Sequence, residues 1–235
     1  MSEKFTELEN IIGYNFQNRA LLERALTHRS FAYEKSPLGK ELEIRNLHNE
    51  TFEFVGDSVL GLSVAEYLFL KHPELSEGDL TLMKHRLVSA ETLAKIGQKL
   101  KIGDFMRFGK GEERTGGRRK DALIADTLEA IIAAVFLDSD FVTARDFINR
   151  LLHDEMQTIT PTSALDYKTL LQEKLQAEKL SVPKYLLTKH EGPSHNRTFY
   201  VEVIWENGNA QGIGKSIKSA EMKAAQMALE KISEC

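Results

Sequence analysis

From residue 5 to about residue 156, apolar side chains recur at i, i+3, i+4 and i+7, the period of helices that bury one face. The pattern predicts helices in "LLERALTHRSF", "TFEFVGDSVLGLSVAEYLFLKH", "LTLMKHRLVSAETLAKIGQKL", "DALIADTLEAIIAAVFLDS" and "FVTARDFINRLLHDEM". Turn-rich breaks separate them: "HPELSEGD" and "GKGEERTGGRR", the second expected as a surface loop. No alternating strand pattern interrupts this half, so residues 1–157 are expected to form an all-α domain.

Residues 158–163 ("TITPTS") are polar, carry Pro161 and read as a linker. Beyond it the period changes. "DYKTLLQEKLQAEK" is an amphipathic helix, while "TFYVEVIWENGNAQGIGKS" alternates. Phe199, Val201, Val203 and Trp205 share one strand face, and Thr198, Tyr200 and Glu202 the other. Asn207-Gly208 marks a hairpin turn, and the Ala-rich "KSAEMKAAQMALEKI" closes the chain as a helix. Residues 164–235 are thus expected as a small α+β domain of order α-β-β-β-α, one antiparallel sheet backed by two helices.

Two of the buried-looking helices carry acids. On a helical wheel Glu50, Glu53 and Asp57 fall within roughly 60°, opposite Phe52, Val55, Val59 and Leu62. Asp126 and Glu129 stand at i and i+3 among Ile124, Leu128, Ile131 and Ile132. A solvated acidic face is the ordinary explanation of such a stripe, usually with a Lys or Arg at i+4. Neither helix has that partner: Glu50 is followed by Phe54, Glu53 by Asp57, and Asp57 by Gly61. Packed carboxylates raise one another's pKa, and a hard divalent cation such as Mg²⁺ or Mn²⁺ is the usual compensation. Phe54 adds an aromatic about 40° from Glu50 on the wheel, which calls for a cover from this chain or from another subunit.

Composition narrows this little. The chain of 235 residues has a formal net charge of −4, yet residues 163–235 carry 10 basic and 9 acidic side chains, so the acid excess lies in the first part. No apolar run reaches the roughly 18 residues of a membrane span, and the N-terminus lacks a signal-peptide core. The one cysteine, Cys235, excludes an internal disulfide framework and a Cys-based zinc site. A cytoplasmic protein without membrane attachment is expected. The histidines lack zinc-ligand spacing, and "GKGEERTGG" lacks the order of a phosphate-binding P-loop.

"HNETFEFVGDSVL" closely resembles the signature of the ribonuclease III family. The likeness extends to "LENIIGYNFQNRALLERALTHRSF", "EGDLTLMKHRLVSAETLA" and "GKGEERTGGRRKDALIADTLEAIIAAVFLDS". "YKTLLQEKLQ", "GPSHNRTFYVEV" and "GIGKSIKSAEMKAAQMAL" resemble a double-stranded-RNA-binding domain. Nearly the whole chain is covered, in the order of the bacterial enzymes.

The resemblance implies an all-α endonuclease domain acting as a homodimer on double-stranded RNA, with Mg²⁺ as cofactor and Mn²⁺ as a substitute. It implies hydrolysis to 5′-phosphate and 3′-hydroxyl ends with short 3′ overhangs, in rRNA, mRNA and small-RNA processing. By position, Glu53, Asp57, Asp126 and Glu129 match the metal ligands, with Asp57 and Glu129 as the catalytic pair and Glu50 as an accessory acid. Phe54 matches an aromatic that plugs into the partner subunit. Gln172, Glu173, His195, Lys215, Ser216 and Lys218 match RNA contacts. Thr51 stands where the family has Arg, Phe52 and Val55 where it has Leu, and Ile217 where it has a basic residue. Two alternatives remain: a non-catalytic duplex-RNA-binding protein of the same fold, and a helical metal-dependent phosphohydrolase acting on nucleotides.

Overall fold

The computed structural model describes residues 2–36, 44–161, 167–193 and 197–233. The chain divides into two compact units, residues 1–164 and 165–235. Among the described residues the first unit is helical: α1 (Ser2–Ile12), α2 (Arg19–Ala25), α3 (Arg29–Lys35), α4 (Glu50–Lys71), α5 (Glu77–Leu87), α6 (Ala90–Lys99), α7 (Lys110–Arg114), α8 (Asp121–Asp138), α9 (Phe141–Leu151) and α10 (His153–Thr158). Its one strand-like feature there is an isolated bridge between Thr27 and Arg107. No helix among the described residues is long and apolar enough to cross a membrane.

Helix α8 is apolar nearly all round and therefore takes the centre. Its Ile124, Leu128 and the run Ala130–Val135 are buried, with α2, α4, α6 and α9 packed about it. Its C-terminal Asp138 fastens the turn before α2, accepting from the Tyr14 hydroxyl at 2.9 Å and from the backbone N–H of Gln17 and Asn18 at 2.9 and 2.8 Å. Glu9, 1 % exposed, is held by Arg19 at 2.6 Å and accepts from the N–H of Phe16, which anchors α1.

Two expected helices are each two in the structure, because a side chain caps the second. His28 accepts the N–H of Ser30 and starts α3, dividing "LLERALTHRSF". Ser89 accepts the N–H of Thr92 and starts α6, dividing the segment of Leu80–Leu100. The glycine-rich stretch expected as a surface loop is built instead from α7 and a 3₁₀ turn, Gly117–Arg119. Arg118 ties it down, donating to the carbonyls of Gly103 and Met106 at 2.8 Å and to Glu113 at 2.6 and 2.8 Å. Leu62, expected on the core face, is 57 % exposed. It lies about 60° from Val59 on the wheel, towards Phe54, at the edge of the buried arc.

The second unit runs α11 (Tyr167–Ala177), β1 (Lys184–Glu191), β2 (Thr198–Trp205), β3 (Gly208–Gly214) and α12 (Ile217–Ser233). The sheet is antiparallel in the order β1-β2-β3, with Val201 opposite Leu187 and Gly212, and Val203 opposite Tyr185 and Ala210. Val201, Val203 and Trp205 face Leu171, Leu175 and the buried alanines of α12. Gly212 permits that packing, since a Cβ there would lie 2.1 Å from the nitrogen of Ala224. The hairpin turn occupies Glu206 and Asn207, one residue earlier than the sequence suggested. Gly208 already pairs with Trp205, and its bare Cα faces the indole, which a Cβ would meet at 2.8 Å.

Candidate functional site

Gly56 sets the geometry of the acidic site. It lies on α4 between Glu53 and Asp57, against the backbone of Glu129 on α8. An ideal Cβ on Gly56 would sit 1.9 Å from the Glu129 carbonyl oxygen, so only glycine allows the two helices this approach. The approach sets Glu53 and Asp57 beside Asp126 and Glu129. Asp57 is exposed and the other three are half-buried.

The fields of these acids overlap. Burial raises the pKa of Glu129 most, and Asp57, Glu53 and Asp126 raise it further, to about 8. Burial likewise raises Glu53, with added repulsion from Asp126, Glu50 and Asp57. Asp126 is raised by burial against the opposing pull of a backbone hydrogen bond. No basic side chain forms an ion pair with any of the four among the described residues, so the cluster is an uncompensated concentration of hard oxygen donors. Such a set can take up protons or a hard divalent cation. Among the described residues no three His, Cys, Asp or Glu side chains form a ready-made ion cage.

Glu50 belongs to a different local network. Its Oε1 accepts from Arg29 at 3.2 Å, and the buried His48 lies 3.9 Å from its Oε2. The start of α4 is fixed to its surroundings by Asn49, whose N–H donates to the Thr27 carbonyl and whose amide reaches Thr127 Oγ1 on α8 at 3.4 Å. Arg24 lies 4.5 Å over the Phe52 ring and donates to Thr51 Oγ1 at 2.8 Å and to the His48 carbonyl at 3.1 Å.

Phe54 is 75 % exposed. It heads an apolar stripe continued along α4 by Leu62 and Phe69, also exposed. On the wheel the three span about 80°.

In the second unit Gln172 and Glu173 are exposed on α11. Lys215, Ser216 and Lys218 are exposed at the start of α12, where Ser216 Oγ accepts the N–H of Ser219 and Lys215 donates to Thr198 Oγ1 at 3.3 Å. His195 lies outside the described residues.

Residues 18–156 match the family model described as ribonuclease-III-like, and residues 167–232 that of the double-stranded RNA binding motif. The chain belongs to the ribonuclease III family. It is 44% identical over 229 residues to the "Ribonuclease 3" of Syntrophotalea carbinolica, covering 97% of this chain and 96% of that one. It is also 44% identical to the "Ribonuclease 3" of Clostridium acetobutylicum, covering 95% of each chain. A crystal structure of the nuclease domain of ribonuclease III from Campylobacter jejuni aligns with a TM-score of 0.57 at 38% identity, over 66% of this chain and 97% of that one. A second structure of that domain, described for structural flexibility in a region involved in dimer formation, gives 0.56 at 39%.

A ribonuclease III endonuclease unit thus precedes a double-stranded-RNA-binding unit, and the non-catalytic alternative is not favoured. The departures from the ribonuclease III signature have physical counterparts. Phe52 is buried in the core and Val55 packs against it. Thr51 is engaged by Arg24, so a guanidinium stands at this helix end although the signature arginine is missing. Sequence reasoning passed over Gly56, Asn49 and Thr127, which position the acids without being acidic. The signals were a glycine inside an otherwise strong helix and polar residues inside apolar runs.

Proposed function

We propose that this ribonuclease III is a divalent-cation-dependent endonuclease of double-stranded RNA that works as a homodimer. Residues 1–157 would form the nuclease body, 158–163 the linker and 164–235 the RNA-binding module. The observation that carries the reading is the seating of Gly56 on Glu129, which gathers four unpaired carboxylates from two helices.

The donor set fits a hard divalent cation, because burial and the neighbouring acids together raise Glu129 to about 8 and no basic side chain among the described residues pairs with the four. Glu53, Asp57, Asp126 and Glu129 would hold it, with Mg²⁺ as the expected ion and Mn²⁺ as a substitute. When bound, the ion supplies Lewis-acid stabilisation of charge on the phosphate and lowers the pKa of water. Asp57 and Glu129 are the acids closest to the chemistry in this reading. Glu129 combines burial with a pKa raised to about 8, which suits it to hold a proton until a cation displaces it. Glu50, paired with Arg29, is an accessory acid that orients the start of α4.

Phe54, Leu62 and Phe69 need a cover, and a second copy of the chain is the occupant we assign, with Phe54 inserted into its partner. Gln172 and Glu173 would meet ribose and base edges. Lys215, Ser216 and Lys218 would meet phosphate at the start of a 17-residue helix. A single cysteine in 235 residues suits a reducing compartment such as the cytoplasm.

The test is cleavage of a long RNA duplex by the purified chain with and without Mg²⁺, with the product ends determined. Cleavage only with the cation, to 5′-phosphate and 3′-hydroxyl ends, is expected. Glu129→Gln should lose cleavage and keep duplex binding; undiminished cleavage by that variant would refute the site.

A further inference from the structure

We propose that Lys84 binds a backbone phosphate of the RNA strand being cut, in a cavity beside Asp57. The inference rests on the nuclease reading above and adds to it a substrate contact that involves no metal ion.

The cavity measures about 560 Å³ and lies between α4 and α5, with Asp57, Ser58, Gly61, Thr81, Lys84 and His85 among its lining residues. Asp57 is therefore shared: its charge acts on Glu53 and Glu129, and it also lines this cavity. Lys84 reaches the cavity from α5 across Gly61, one helical turn beyond Asp57. An ideal Cβ on Gly61 would lie 3.6 Å from Lys84 Cε and 3.7 Å from Nζ, so the end of the lysine stands over the bare backbone of α4 with room for one methyl group between them. The side chain is half-buried, and it makes no hydrogen bond or ion pair among the described residues.

This is an unusual state for an ammonium. A lysine that gives up part of its hydration normally gains a carboxylate or a carbonyl in exchange. Lys84 instead stands half-buried beside α4 without such an exchange among the described residues, and Asp57 is the one acid in the cavity lining. An incoming anion would restore the lost hydration, and the substrate of a ribonuclease is a chain of anions.

The acid cluster alone repels every phosphate that approaches it. A fixed positive charge at its rim attracts the strand and sets its register, deciding which phosphate comes to rest at Asp57 and Glu129. Lysine suits that task as a compact point charge that accepts many phosphate orientations. The contact assigned here is to the cleaved strand, within one or two nucleotides of the cut.

The experiment uses the full chain and a short duplex with one defined cut site. Wild type, Lys84→Gln and Lys84→Arg are compared in single-turnover cleavage. Each is also given duplexes bearing one uncharged methylphosphonate at successive positions around the cut. Lys84→Gln should lower kcat/KM by about 10- to 100-fold, the range for a hydrogen bond to a charged group, and Lys84→Arg should recover most of it. One methylphosphonate should impair wild type strongly while costing Lys84→Gln almost nothing further, a non-additivity that a merely structural lysine would not produce. The salt dependence of duplex binding should also lose about one phosphate's worth of slope.

Wild-type rates in Lys84→Gln would overturn the proposal, as would methylphosphonate penalties equal in both proteins at every position. Dissociation of the Lys84→Gln dimer in sedimentation would also overturn it, by assigning the cavity to the seam between subunits. Failure of wild type to cut any duplex would instead defeat the nuclease reading, a result distinct from all of these.

Discussion

Replacing Gly56 with alanine adds one methyl group at the tightest point of the acidic site. The new Cβ would begin 1.9 Å from the Glu129 carbonyl oxygen. An ordinary carbon–oxygen contact needs about 3.3 Å, so α4 and α8 must part by about 1.4 Å. The obstacle is backbone rather than a flexible side-chain end, so no rotamer change relieves it. Overpacking of this kind costs about 1–3 kcal/mol, which in a chain of this size lowers the melting temperature by roughly 2–12 °C. The effect on cleavage should be larger in proportion, because misplacing a reacting group by about 1 Å costs on the order of 100-fold. Differential scanning calorimetry and single-turnover cleavage measure the two losses separately. Gly111→Ala is the control: nothing lies within 4 Å of its Cβ in α7, so both readouts should stay near wild type. Cleavage by Gly56→Ala within about twofold of wild type would show that the helix spacing does not govern the site.

Further outcomes follow from the same geometry. Glu129 titrates near 8 in the folded chain and near 4.5 when unfolded, so the folded state binds more protons between those values and stability falls as pH rises through them. In chelator, Glu129→Gln should therefore melt above wild type at pH 8.5 and together with it near pH 4.5. Added Mg²⁺ should stabilise wild type more than the variant, and equal melting at both pH values would contradict the raised pKa. Phe54→Asp places a charge at the head of the exposed stripe and should yield monomers in sedimentation velocity; an intact dimer would remove Phe54 from the interface. Lys218→Gln should weaken duplex binding at every sequence tested and reduce the salt slope by about one, with an unchanged slope counting against a phosphate contact.

How far the sequence revealed this arrangement depended on whether a feature was local. The two acid stripes were visible because residues three and four apart share a helix face, whatever surrounds the helix. The strand face of Val201, Val203 and Trp205 was visible for the corresponding period of two. Helix ends were harder: His28 and Ser89 are acceptable inside a helical pattern, and only their capping bonds show that a new helix begins there. Arg118 illustrates the same limit, since the carbonyls of Gly103 and Met106 that hold it lie more than ten residues away. Leu62 was misread because a helical wheel has no information about where a neighbouring helix stops covering it.

The site itself is non-local in a more consequential way. Either acidic helix alone would be a solvated surface, without the burial that raises Glu53, Asp126 and Glu129. Gly56 removes the side chain that would hold α4 away from α8, and the Asn49–Thr127 contact joins the same two helices through polar atoms inside the core. The apolar bulk of α8 supplies the burial that makes the repulsion costly. A surface aspartate pair would be easier to fold, yet it would have little reason to prefer a bound cation over water. On the proposed reading a bound cation would regain the stability forgone by burying Glu53, Asp126 and Glu129 together, so cation affinity and cation-free instability should change together across substitutions at these positions.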